Sequence, residues 1–300
     1  MSVRQSSTRW PRSVTVTNWL RQSKTLSGRW SKPAILKAPD VGRPKRRQLG
    51  QNFLIDPQVI QRIATLTKPN PPRVLEIGPG RGALTGVLLE RFDRVLALEV
   101  DAGLIPSLET NFAGTALEVR SSDALKEPLD PLLEAEKPWQ VAANLPYSVG
   151  TAILRRLLPR HDLITRIVVM LQAEVVDRLV AEPSGSGHGL LALERAAYAE
   201  ASVAFDVPPA AFRPQPKVHS TVTVIDLKPP EFSEEELKSA FHLASHGLNR
   251  ARKTLPNALK PLMDLDQIER SGLDPGDRPG TLDLADWVRL AQVVKIREPQ

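Results

Sequence analysis

The sequence predicts an α/β protein: a doubly wound, mostly parallel sheet with helices on both faces, followed by a small all-α C-terminal domain. Three observations predict it. Apolar runs of strand length alternate with helix-spaced patterns from residue 73 to residue 171. A glycine-rich turn at residues 78–82 joins the first of those runs to a helix. Beyond Lys228-Pro229-Pro230 the strand patterns stop and helical ones take over.

Taken in chain order, residues 1–40 are rich in Ser and Arg and lack periodicity, and are expected to form a disordered extension. That composition suits an organelle transit peptide, and equally upstream sequence included through a wrong start. The first internal methionine is Met170, so any later start would need another codon. Residues 41–228 are expected to form the α/β domain and 229–300 the helical one, joined at the two prolines. Asp56-Pro57 is a helix start, with Asp at the N-cap and Pro in the first turn, and Val59, Ile60, Ile63 and Leu66 follow at helical spacing. Strands are expected at 73–77, 94–99, 117–120, 139–143 and 164–171, with helices at 83–91, 104–111, 151–158 and 173–181. Residues 201–205 and 220–227 read as closing strands, and 231–295 as helices with loops around 272–280.

Composition excludes several classes. The 300 residues are 41% apolar and 25% charged, ordinary for a chain that buries a core. With no cysteine, a disulfide scaffold, a cysteine nucleophile, a Cys-ligated zinc and an iron–sulfur cluster are all excluded. No apolar run reaches the length of a membrane span, and no membrane partner is expected. His242 and His246 lie four apart, but Glu does not follow His242, so the zinc-protease pattern is absent and no metal is expected. Ser184–Gly189 lacks the nucleophile-elbow pattern and reads as a loop, either a mobile lid, an RNA-facing loop or a plain connection. Charge is unevenly spread. Residues 1–50 carry twelve Lys and Arg against one acid, Asp40, a net +11; the other 250 carry 28 against 33, a net −5. The positive character is therefore local, an arm and a patch rather than a basic body.

Glu76-Ile77-Gly78-Pro79-Gly80-Arg81-Gly82 follows a strand and opens a helix. Its G-x-G-x-G spacing is neither the dinucleotide fingerprint nor a phosphate-binding P-loop, because no Gly-Lys pair occurs in the chain. Glycines let a ligand approach the main chain at Gly78 and Gly80, and Pro79 removes an amide donor, which suits a ligand without phosphates. Glu99 stands at the end of the second strand, where an acid accepts hydrogen bonds from ribose hydroxyls. Asp123 follows the third strand at the same edge, placed for an adenine amino group or a nearby water. In combination these residues resemble the S-adenosyl-L-methionine site of Rossmann-like methyltransferases.

Asn144-Leu145-Pro146-Tyr147 follows the fourth strand. An Asn side-chain carbonyl with a main-chain carbonyl can accept both hydrogens of an exocyclic amine, which frees the nitrogen lone pair for an incoming methyl. A tyrosine ring nearby can stack on the base.

The chain resembles the bacterial small-subunit ribosomal RNA dimethyladenosine transferases from about residue 43 to about residue 295. Four stretches carry the resemblance: Leu49–Leu54, Glu76–Gly82 with Glu99 and Asp123, Asn144–Tyr147, and Val207–Val218. It implies S-adenosyl-L-methionine contacts from Asn52, Leu54, Gly78, Gly80, Glu99, Asp123 and Asn144. It implies that Asn144, the main chain of Leu145 and Tyr147 hold the target adenine, with Phe212 packed on the other face of the flipped base. Two departures stand out: His219 where the family has Asp, and Ser148-Val149-Gly150 after the tetrapeptide. Arg250-Ala251-Arg252-Lys253-Thr254-Leu255 resembles the family's basic stretch, so Arg250, Arg252 and Lys253, with Arg43, Lys45, Arg46 and Arg47 of the N-terminal cluster, are expected on RNA phosphates.

The implied function is N6,N6-dimethylation of two adjacent adenosines near the 3′ end of 16S rRNA in a precursor small ribosomal subunit, by a cytoplasmic monomer. A plastid is the alternative location if the N-terminus is genuine. The alternative functions are a large-subunit rRNA adenine methyltransferase and a ribosome-assembly factor acting mainly by binding.

Overall fold

Strand runs that are apolar on both sides need cover on both faces, and the chain supplies it. The computed structural model describes residues 51–294, so residues 1–40 and the cluster Arg43, Lys45, Arg46 and Arg47 lie outside the described residues. In chain order the elements are β1 (Phe53–Leu54), α1 (Pro57–Leu66), β2 (Arg73–Ile77), α2 (Ala83–Leu88), β3 (Arg94–Glu99), α3 (Ile105–Asn111), β4 (Leu117–Ser121) and α4 (Leu129–Leu133). There follow β5 (Trp139–Asn144), α5 (Gly150–Leu157), β6 (Ile164–Gln172), α6 (Ala173–Val180), α7 (Leu190–Tyr198), β7 (Ala199–Val207), β8 (Phe212–Arg213) and β9 (Ser220–Leu227). The chain then turns helical, with α8 (Glu234–Leu248), α9 (Leu255–Leu259), α10 (Leu265–Arg270) and α11 (Leu284–Val293).

Seven strands form one sheet in the order β4-β3-β2-β5-β6-β9-β7. β4, β3, β2, β5 and β6 run parallel, while β9 and β7 pair antiparallel. The chain leaves β2 towards β3 and β4, then returns to lay β5 on the other side of β2. The carboxyl ends of β2 and β5 are therefore adjacent across the topological switch point, with Ile77 opposite Ala143. This is what brings the glycine turn and the Asn-Leu-Pro-Tyr segment together.

Alternation along each strand divides the core. Leu75, Ile77, Leu96, Leu98, Trp139, Val141 and Ala143 face one cluster, which α4, α5 and α6 cover. Val74, Val95 and Ala142 face a second, which α1 and α2 cover. Helix α1 starts where the sequence places it: the Asp56 side chain accepts from the Gln58 and Val59 amides at 2.8 and 3.3 Å. A third cluster, including Leu243, Leu259, Trp287 and Leu290, lies among the C-terminal helices.

The structure differs from the sequence reading in several places, among them the unexpected helix α4 and a β7 that runs Ala199–Val207 rather than 201–205. The second helix ends at Leu88 rather than at residue 91, and Gly82 supplies its cap by backbone alone. Helix α7 was not expected. Its Leu191 packs in the sheet cluster and its Leu193 in the C-terminal helical cluster, so the helix is buried on two sides and carries no one-sided apolar stripe. β1 and β8 were not expected either. At two residues each they have no readable period, and they exist because they pair with one another, Phe53 against Arg213 and Leu54 against Phe212.

Candidate active site

The glycine turn leaves β2 at the switch point. Gly78 has φ +70° and a Cβ added there would meet no atom within 4 Å. The turn thus leaves free space over its first glycine, where a ligand can approach the main chain. Gly82, at φ +83°, is glycine for another reason: an added Cβ would lie 2.5 Å from the Phe112 ring. Between them, the Gly80 amide donates to Glu99 Oε2 at 3.0 Å.

Glu99 is buried at the end of β3 and also accepts from the Asp101 amide, at 2.8 Å. Two backbone donors fix the carboxylate, and each oxygen keeps a lone pair for a further donor. Asp123, two residues past β4, is half-buried and accepts from the Leu125 amide at 2.9 Å, with Lys126 Nζ at 3.8 Å. It closes a turn at the same sheet edge.

At the end of β5, Asn144 is half-buried, and its Nδ2 donates to the Asn52 carbonyl at 3.2 Å. Leu145 is buried and its amide donates to the Met170 carbonyl at 3.2 Å, which continues the β5–β6 pairing through the tetrapeptide. The Tyr147 hydroxyl lies 2.6 Å from Ser220 Oγ, and Ser220 is fully buried at the start of β9.

The β1–β8 pair ties the N-terminal stretch over this edge. The Phe53 ring packs at Gly80, 3.2 Å from where a Cβ would sit, and Arg81 places its guanidinium 4.6 Å above that ring. Leu54 and Phe212 are both buried in the second core cluster, Phe212 with no exposed surface. In this structure Phe212 holds β1 in place. The Arg250, Arg252 and Lys253 side chains lie on exposed positions between α8 and α9, where with Asn249 and Asn257 they line an open cavity of about 550 Å³. A second cavity, about 240 Å³, lies between residues 181–188, α7 and the start of α11 and is lined by none of the site residues singled out from sequence.

Several of the residues singled out from sequence therefore meet in a continuous arrangement: Glu99 with Gly80, Gly80 with Phe53, Leu54 with Phe212, and Asn52 with Asn144. Glu76, which opens the glycine-turn motif, was given no role from sequence. It is 1% exposed, and burial pushes its carboxyl up to about 8, against the lowering effect of a hydrogen bond from Thr85 and with a further rise from the charge of Glu99. An acid inside the apolar run Arg73–Ile77 was the available signal. Ser220 was overlooked too, and a lone serine at a strand start gives no signal.

A parallel sheet with a glycine turn after β2, an acid ending β3 and an Asn-Leu-Pro-Tyr segment at the switch point defines a Rossmann-like methyltransferase. Residues 42–295 match the ribosomal RNA adenine dimethylase family. The chain is 42% identical to the ribosomal RNA small subunit methyltransferase A of Methylococcus capsulatus, over 82% of this chain and 96% of that protein. It is 39% identical to the protein of the same name from Pseudomonas aeruginosa, over 82% and 93%. In fold it is similar to a dimethyladenosine transferase from Plasmodium falciparum, with TM-score 0.66, 23% identity and coverage of 79% and 95%. It is likewise similar to the 23S rRNA methyltransferase ErmE, with TM-score 0.61, 23% identity and coverage of 81% and 99%. The chain belongs to the ribosomal RNA adenine dimethylase family. It is a methyltransferase enzyme of a family whose substrate class is ribosomal RNA and whose implied cofactor is S-adenosyl-L-methionine. The residues present fit that cofactor: free space over Gly78, spare acceptor capacity on Glu99, and no competing side chain within 4 Å of the Gly78 Cβ position.

Proposed function

We propose that the chain dimethylates N6 of two adjacent adenosines near the 3′ end of 16S rRNA, acting on a precursor small ribosomal subunit. The observation that carries this reading is the pairing of β2 with β5, Ile77 opposite Ala143, which sets the Asn144–Tyr147 tetrapeptide beside the glycine turn.

S-adenosyl-L-methionine, when bound, supplies an electrophilic methyl group on a sulfonium. Glu99 would accept hydrogen bonds from its ribose hydroxyls, the main chain at Gly78 and Gly80 would let it lie close, and Asp123 would take an adenine amino group or a bridging water. Asn52 and Leu54 close the pocket from β1. Asn144 holds the target base: with Nδ2 turned to Asn52, its Oδ1 is the acceptor for one N6 hydrogen, and the Leu145 main chain accepts the other. Two carbonyl acceptors keep the nitrogen lone pair out of conjugation and aimed in one direction, so orientation supplies most of the rate. The amine loses its proton after it has attacked, and no strong base is required. Tyr147 stacks on the base, its ring held by Ser220. Phe212 is the residue read for the other face of the base; in the structure it is fully buried beside Leu54 and supports β1.

We read residues 41–228 as the methyltransferase domain and 229–300 as a helical domain. Arg250, Arg252 and Lys253, with the N-terminal Arg43, Lys45, Arg46 and Arg47, contact RNA phosphates and position the enzyme without reading bases. Among the described residues no helix is long and apolar enough to cross a membrane. The proposed setting is the bacterial cytoplasm and the proposed state a monomer.

The test is transfer of labelled methyl from S-adenosyl-L-methionine to under-methylated small subunits, with large subunits and duplex DNA alongside. Label confined to the small subunit supports the reading. Label in the large subunit overturns the substrate. Cofactor binding without label points to an assembly factor.

A further inference from the structure

The reaction above makes no use of Glu76. Its side chain lies under the glycine turn, 1% exposed, two residues before Gly78. Its register neighbours are Ala97 on β3 and Ala142 on β5, neither able to meet a charge. Helix α2 has no titratable residue and offers the buried Thr85 hydroxyl, which bonds Glu76 Oε2 at 2.7 Å. The titratable group that faces Glu76 is Glu99, of like sign and itself 2% exposed. Among the described residues Glu76 forms no ion pair.

Two buried carboxyls thus flank one turn, in unequal surroundings. Glu99 accepts two backbone N–H bonds, the environment a carboxylate needs. Glu76 has one hydroxyl contact, and a buried carboxyl with so little compensation favours its neutral form.

We propose that Glu76 works as a neutral carboxylic acid beneath the glycine turn, a positioning residue that braces the cofactor pocket while it holds its proton and loosens it on losing that proton. The inference rests on the reading of this pocket as the cofactor site. Burial supports it by pushing the carboxyl up to about 8 from its ordinary 4.5. The sign of the pH effect follows. Between those values the folded chain holds a proton that the unfolded chain has released, so this group's contribution to stability falls as pH rises through the window and is level above it. Binding that requires the protonated form weakens about tenfold per pH unit above the folded value.

The experiment compares full-length wild type with Glu76→Gln, which is neutral at every pH and similar in shape. Thermal unfolding is followed across the window without cofactor, and S-adenosylhomocysteine binding is measured by calorimetry at neutral and alkaline pH. The variant is expected to gain on wild type steadily as pH rises and then to run parallel to it. It is also expected to bind within about twofold of wild type at neutral pH, and to lack the wild type's alkaline loss, about tenfold per unit. Parallel stability profiles throughout, or a variant that binds more than about tenfold worse at neutral pH, overturn the proposal. If the variant does not fold, infrared spectroscopy of wild type decides: a protonated-carboxyl carbonyl band at neutral pH that disappears on alkaline titration supports it, and no such band overturns it. S-adenosylhomocysteine that binds at no pH sinks the functional reading, while the stability and infrared results still report on Glu76.

Discussion

The Asn144 side-chain amide donates to the Asn52 carbonyl at 3.2 Å, joining the end of β5 to the segment before β1. The bond orients the amide through its nitrogen, and in the proposed mechanism its oxygen is the end that takes the substrate. Asn144→Ala is therefore expected to cut methyl transfer by about 10²–10³, the loss typical of removing one oriented polar group from a reaction centre. The side chain is half-buried, so the unfolding temperature should stay close to wild type. Single-turnover transfer and thermal unfolding check both; near-normal transfer contradicts the role.

Tyr147 and Ser220 share a 2.6 Å hydrogen bond at the same edge. Ser220→Ala and Tyr147→Phe each remove it, at about 1 kcal/mol, and the double variant should lose little more than either alone. Tyr147→Ala also removes a stacking surface and should weaken RNA-substrate binding by a further 1–3 kcal/mol or so, about 5- to 150-fold. A double-mutant cycle on KM and kcat separates the two effects. Strict additivity of Ser220→Ala and Tyr147→Phe would show that the hydroxyls act independently.

The turn glycines should part company under substitution. Gly82→Ala drives a methyl to 2.5 Å from the Phe112 ring at φ +83°, and is expected to lower stability by about 2 kcal/mol or more. Gly78→Ala meets no atom within 4 Å at φ +70°, and should cost about 1–2 kcal/mol of backbone strain. It should nonetheless lose cofactor affinity at least about tenfold, because its methyl enters the space reserved for the ligand. Calorimetry with S-adenosylhomocysteine reads this, and wild-type affinity in folded Gly78→Ala would place the cofactor elsewhere.

Arg250, Arg252 and Lys253 line one exposed cavity and make no ion pair among the described residues. Replacing all three with Ala should weaken small-subunit binding and flatten its dependence on log salt by about 0.7–0.9 for each phosphate no longer neutralised. Filter binding across a salt series tests this; an unchanged slope removes these residues from the RNA interface.

Much of the fold was legible because both-face burial writes itself into the chain as strand-length apolar runs. Residues 73–77, 94–99 and 220–227 have the bounds their sequence suggests. Helix α7 was not legible, because Leu191 and Leu193 pack into different clusters and erase the helical stripe. The site was legible where chemistry demands a rare local pattern, as at Gly78–Gly82 and Asn144–Tyr147. Its long-range ties were not. Nothing local marks Asn52 as the partner of Asn144, Ser220 as the partner of Tyr147, or Leu54 as the neighbour of Phe212, since each is made by sheet topology.

The most direct test of the central claim is nucleoside mass spectrometry of rRNA from under-methylated small subunits incubated with the enzyme and S-adenosyl-L-methionine. The account predicts N6,N6-dimethyladenosine at two adjacent positions near the 3′ end of 16S rRNA, absent with Asn144→Ala. Modification confined to large-subunit rRNA, or methylation at a position other than adenine N6, would contradict it.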